Sequence, residues 1–259
     1  MVWSTGIFFV SHILSLESVT IYSLTMKIYV FIFYGFTIIN TVIAPLYGKH
    51  IANNDYQLIN KVINISILVL PFIGGVIWIT TIVFMEHIVS LWTSSDHFFI
   101  GNYFIFFMGL FFYSAGYVYS YITLMYSLGK ASSILSIRWT EVLFGFFLSF
   151  VLVYYIGVTG IAIGLAFSSL LISMQYMPIK IRKEVYINLD FSSHKKHFFV
   201  VLLPSIIAAL MIVKFYDSVW EKIIAIVILL AFYSGTSWML LGSEAREDIF
   251  SHLFNITKT

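Results

Sequence analysis

The sequence predicts an all-α, polytopic membrane helix bundle of about eight transmembrane helices, built as one six-helix lobe followed by two extra helices. Three observations predict it. Of the 259 residues, 60% are apolar and 10% are charged, where soluble domains carry about a quarter charged residues. The mean hydropathy is +0.96. The apolar residues also gather into runs of about 20, the length that carries a helix across a bilayer in which no water can satisfy the backbone. The same composition excludes a soluble globular domain and a disordered chain. With no cysteine there is no disulfide, thiolate metal site or thiol chemistry. A net charge of +2 gives no basis for nucleic-acid binding.

The first apolar stretch, 2–16, is short and has neither a basic leading region nor a small-residue cleavage site, so it reads as a short or partial spanning helix and not as a signal peptide. Seven full spans come after it, at about 18–46, 62–85, 98–128, 133–156, 159–179, 197–214 and 221–241. The spans 18–46 and 98–128 exceed the bilayer core, so their ends should tilt or protrude. Between 155 and 159 there is room only for a tight antiparallel hairpin. Pro71, followed by Gly74 and Gly75, should kink its helix. Gly157, Gly160, Gly164 and Ser168 form one small-residue ridge, and Gly109, Tyr113, Gly116 and Ser120 another; both read as close-packing devices.

Loop charge sets the expected orientation. Lys49, Lys61, Lys130, Arg138, Lys180, Arg182, Lys183, Lys195, Lys196, Arg246 and Lys258 fall on one side, 11 of the 14 basic residues. Lys214 and Lys222 fall on the other side, with Glu17, Glu86, Asp96, Asp217 and Glu221. The positive-inside rule makes the first side cytoplasmic and, with eight crossings, puts both termini there. The organisation expected is a lobe at 1–180, a basic cytoplasmic loop at 181–196, two additional helices at 197–241 and a cytoplasmic tail at 242–259.

Lys27 is the most informative polar residue. It lies about nine residues into its span, some 13 Å along the helix, where a charge usually faces a cavity or a partner. Thr20, Ser23, Lys27, Tyr34, Thr37 and Thr41 recur at helical spacing on one face. Either that face lines a wet, substrate-bearing surface, or Lys27 snorkels to the interface and the hydroxyls bond to their own helix. Arg138 and Glu141, three residues apart, form an intrahelical ion pair on one reading. On the other, Arg138 lines the inner mouth of a cavity and Glu141 orients it or relays a proton. Gln175 and Tyr176, before Pro178, read as core polar packing. The seven histidines form no metal set, and there is no phosphate loop, nucleophile elbow or HExxH motif. No cofactor or metal is expected, and an enzyme is disfavoured.

Four segments taken in order carry a family resemblance: SVTIYSLTMK at 18–27, before a helix ending in APLYG at 44–48; ANNDYQLINK at 52–61; YSLGKASSILSIR at 126–138; and YIGVTGIAIG at 155–164. Their order and spacing resemble the C-terminal half of polysaccharide flippases, O-antigen type, of the multidrug/oligosaccharidyl-lipid/polysaccharide exporter superfamily. The resemblance covers about 1–241. It implies two six-helix lobes around a central cavity, of which 1–180 is the second, with the first lobe a partner expected from outside these residues. It implies a bacterial inner-membrane transporter for undecaprenyl-pyrophosphate-linked oligosaccharide. Lys27, Ser23, Thr20, Tyr34 and Arg138 are the expected cavity residues, and Glu141 the expected ion- or proton-coupling residue. A multidrug exporter of the same superfamily, or a membrane glycan polymerase or acyltransferase, is the alternative.

Overall fold

In the computed structural model the chain is helical throughout the described residues, 2–185, 197–216 and 218–240, with no strand among them. The elements are α1 (Val2–Ile13), α2 (Leu16–Ala52), α3 (Tyr56–Thr93), a 3-10 turn at Asp96–Phe98, α4 (Asn102–Ser127), α5 (Ala131–Ile156) and α6 (Thr159–Ser168). After α6 come a π-helical turn at Ser169–Ser173, α7 (Met174–Val185), a second π turn at His197–Leu202, α8 (Leu203–Phe215) and α9 (Val219–Leu240). α6, its π turn and α7 form one rod, Thr159–Val185. Seven of these rods are long and apolar enough to cross a membrane, and the chain is a multi-pass membrane protein with an all-α bundle fold.

Contacts divide the chain into two compact units, Met1–Leu189 and Asp190–Thr259. The first holds α1 to α7. The second holds α8 and α9, which pack on each other and on the second π turn. Residues 186–196, Asp217 and the tail from 241 lie outside the described residues. With them go most of the expected basic loop, Lys195 and Lys196 included, and the tail residues Arg246 and Lys258.

Local chemistry sets the helix ends. The Ser15 hydroxyl accepts from the Ser18 amide at 3.2 Å, and the Asp55 carboxylate from the Leu58 amide at 3.1 Å, so both α2 and α3 begin on a side-chain cap. Asn54 and Gly129 take left-handed backbone angles, φ 55° and 69°, which turn the chain sharply between helices. The turn at 53–55 is much shorter than the connection left between the expected spans 18–46 and 62–85. α2 and α3 instead run on to 37 and 38 residues, about 55 Å each at 1.5 Å per residue. A bilayer core of about 30 Å fixes only the apolar middle of a helix. Polar residues such as Lys49, Asn60 and Lys61 therefore continue the helices beyond it, where an apolar-run criterion stops.

α3 packs most extensively on α4, and α5 on α6. Absent side chains permit both approaches. A Cβ on Gly116 would lie 2.7 Å from the Leu70 carbonyl oxygen, and one on Gly109 would lie 1.9 Å from the Trp78 indole. A Cβ on Gly160 would lie 2.4 Å from the Leu152 carbonyl carbon. Gly116 and Gly160 are therefore points where backbones meet, while Gly109 makes room for the Trp78 indole. Hydrogen bonds cross between the packed helices as well. Thr123 Oγ1 donates to Asn40 Oδ1 at 2.6 Å, Ser120 Oγ to the Ser66 carbonyl at 3.1 Å, and Ser114 Oγ to Ser169 Oγ at 2.9 Å.

Candidate functional site

α2 buries one side and leaves the other open. Tyr22, Thr25, Met26, Tyr29, Phe36, Asn40 and Tyr47 are buried. Tyr29 stacks on Phe112 of α4 at 5.2 Å between ring centres. On the open side Thr20, Lys27, Tyr34, Thr37 and Thr41 are exposed and Ser23 is half-buried. Thr20, Thr37 and Thr41 each donate their hydroxyl proton to their own helix, to the carbonyls of Leu16, Phe33 and Ile38. Their oxygens keep lone pairs that can accept from a ligand. The same side of α2 also exposes Phe31, Ile38 and Val42 between these polar residues, while the outer side of α5 exposes Leu135, Trp139, Leu143, Phe147, Phe150 and Tyr154, an apolar surface suited to lipid.

Beside Lys27 lies an open hollow of about 440 Å³, lined by Ile7, Ser23, Met26, Lys27, Val30, Phe31 and Tyr34. Thr20 is not in its wall. The Lys27 ammonium is the one charged group among these lining residues.

Arg138 and Glu141 occupy a different place. Glu141 is 10 residues into α5, about 15 Å from its start, and its side chain is 7% exposed. Its Oε2 accepts from Arg138 Nη1 and from Ser173 Oγ. Arg138 Nη1 also reaches Ser173 Oγ at 3.5 Å. Ser173 is the last residue of the π-helical turn. A π turn inserts a residue into the helix and shifts the register of the residues beyond it, and such turns recur at functional sites. Arg138 and Glu141 line a second hollow of about 470 Å³, bounded by Gly6 and Phe9 of α1, Phe111 of α4, the α5 face from Leu135 to Ser149, and Ile161, Leu165 and Ser168 of α6.

The two hollows share no lining residue. Lys27 and Arg138, expected in one cavity, thus line separate ones. The reason is α1, which packs on both α2 and α5. Ile7 contributes to the first hollow, and Gly6 and Phe9 to the second. The hydroxyl of Tyr22 fills the space where Gly6 would carry a Cβ, so α1 lies directly against α2. Phe9 stands against Phe146 of α5 at 4.8 Å between ring centres.

Sequence reasoning did not find Ser173, Gly145 or Ser149, and it read Ser168, which also lines the second hollow, only as part of a packing ridge. Ser173 sits in the run SSLLIS at 168–173, and only the π turn and the packing of α6 on α5 identify it as the partner of Glu141. Gln175, read as core polar packing, instead reaches its own rod, with Nε2 donating to the Leu170 carbonyl at 3.5 Å, and is exposed. Among the described residues no group of three or more His, Asp or Glu side chains could hold a metal ion.

No protein-family model, curated protein or solved structure matches this chain.

Proposed function

We propose that the chain is one lobe of a flippase that moves an undecaprenyl-pyrophosphate-linked oligosaccharide, of the O-antigen type, across the bacterial inner membrane. The observation that carries this reading is the open side of α2. Thr20, Lys27, Tyr34, Thr37 and Thr41 are exposed, interleaved with Phe31, Ile38 and Val42, along a helix long and apolar enough to cross the bilayer. The threonine hydroxyls are hydrogen-bonded within α2, so the cost against hydrocarbon falls on the Lys27 ammonium, which calls for a water-filled or substrate-filled space on that side, enclosed by a second helical bundle.

The chemistry suits a lipid-linked sugar. A diphosphate and a chain of hydroxyls lose their hydration in hydrocarbon. Lys27 supplies a point charge to the diphosphate, and the hydroxyl oxygens of α2 accept from sugar hydroxyls. The polyprenyl tail stays in lipid. A partner lobe, rocking against this one, would expose that side of α2 to each face of the membrane in turn. The cargo crosses unchanged, and the reading invokes no cofactor and no catalytic residue.

The test is glycan export from cells that carry the chain together with its partner lobe. Lys27→Ala abolishes surface polysaccharide while the protein stays in the membrane at its normal level, and Lys27→Arg keeps export. Normal export by Lys27→Ala removes the reading.

A further inference from the structure

We propose that the second hollow is a binding site for one chain of a bilayer phospholipid, with the lipid phosphate held by Arg138. The inference does not depend on the transport reading, since the site lies apart from Lys27.

The shape points to a chain. The hollow runs along α5 from Leu135 to Ser149, 14 residues or about 21 Å of helix. One leaflet's share of the bilayer core is about 15 Å. Gly145 packs against Ser168, whose Oγ would lie 2.8 Å from a Cβ there, and Ser149 packs against Gly164, so these small residues form the closed floor of the hollow. Phe111, Phe146 and Leu165 give it apolar walls. Leu135 and Trp139, at its rim, are more than half exposed, so the slot opens sideways to whatever surrounds the helices. In a membrane that medium is lipid. An apolar slot left empty there forfeits the dispersion contacts of its whole lining.

The polar end points to a phosphate. Arg138 lies seven residues into α5, about 10 Å from its start, on the end of the lobe where Lys130 meets Glu184. Its guanidinium has five N–H groups in a planar fork. Glu141 and Ser173 engage Nη1 alone, and the remaining N–H groups have no hydrogen-bond partner among the described residues. Glu141 and Ser173 act as positioning residues that lock the fork, and its free edge matches a phosphate's oxygens. Size separates this ligand from the transported one. About 470 Å³ is the volume of an ordinary small-ligand site, enough for one acyl chain and too little for a polyprenyl of many isoprene units.

The experiment is native mass spectrometry on the full chain in detergent micelles, with phosphatidylglycerol as the probe. Diacylglycerol supplies tails without phosphate, glycerol phosphate supplies phosphate without tails, and a long polyprenyl phosphate represents the competing source. One phosphatidylglycerol is retained per chain. Diacylglycerol binds about tenfold more weakly, the loss of a charge-assisted hydrogen bond, and neither glycerol phosphate nor the polyprenyl phosphate displaces the bound lipid. Val142→Trp, at the rim, plugs the slot and abolishes retention. The pair Arg138→Gln with Glu141→Gln keeps lipid binding but loses the preference for phosphatidylglycerol over diacylglycerol. Equal retention by Val142→Trp overturns the proposal, as does a wild type without preference between the two lipids, or displacement by glycerol phosphate or by equimolar polyprenyl phosphate. If the double variant fails to fold, Val142→Trp decides alone, since it leaves every polar contact in place.

Discussion

A lone carboxylate where Glu141 sits would be costly, because burial removes the water that stabilises its charge. The side chain is tolerated because Arg138 and Ser173 both donate to it. That makes the pair asymmetric under mutation. Removing only Arg138 strands a buried acid, a loss on the order of 3–5 kcal/mol, whereas replacing both charges together is far milder. Arg138→Ala should therefore lower the unfolding temperature in detergent clearly, and adding Glu141→Gln should restore most of the loss. A double variant as unstable as the sum of the two single variants would show that the groups do not act on each other. The residue scale also shows what the sequence can and cannot carry. The i, i+3 spacing of Arg138 and Glu141 is enough to place them on one helix face. Ser173, 32 positions further on, is invisible to such a rule, because its approach depends on the π turn at Ser169–Ser173 and on how α6 packs against α5.

At the scale of the elements, glycine separates two kinds of surface. Gly160 stands where α6 crosses α5, and the backbone of Leu152 and Val153 occupies the space of its missing side chain. Backbone cannot swing aside, so Gly160→Ala must part the hairpin, at a cost of about 1–3 kcal/mol or more. Gly35 is also inside a helix, but nothing lies within 4 Å of where its Cβ would be. Gly35→Ala should stiffen α2 and stabilise the isolated chain by up to about 1 kcal/mol. Thermal unfolding of the two variants side by side should move in opposite directions, and a loss of stability in Gly35→Ala would mean that α2 is not open on that side. The ridge at Gly157, Gly160, Gly164 and Ser168 is legible from spacing alone, since small residues four apart have few other uses in a spanning helix. The full lengths of α2 and α3 are not legible in the same way. Hydropathy marks where a helix is in lipid, while the ends of these two are set by the Asp55 cap and the left-handed Asn54.

For the whole molecule, the decisive quantity is which helix ends share a side. Glu17, at the start of α2, meets His97 of the turn before α4 at 2.5 Å. Lys130, between α4 and α5, donates to the Glu184 carbonyl at the end of α7 at 2.7 Å. Each contact joins ends that alternation along the chain also places together. Three rods, α4, α5 and the α6–α7 rod, separate Asp96 from Lys183, and an odd number of crossings puts them on opposite faces of the membrane. Both residues are exposed, and the chain has no cysteine to interfere, so single cysteines at these positions report cleanly. By the positive-inside rule, the basic residues near the second position, Lys180, Arg182 and Lys183, predict that it faces the cytoplasm. A membrane-impermeant maleimide added to intact cells should therefore modify Asp96→Cys and leave Lys183→Cys untouched until the membrane is opened. Labelling in the reverse order would turn the molecule over while keeping its crossings. Labelling of both from outside would break the three-crossing path itself, and with it the side of the bilayer assigned to Arg138 and its slot.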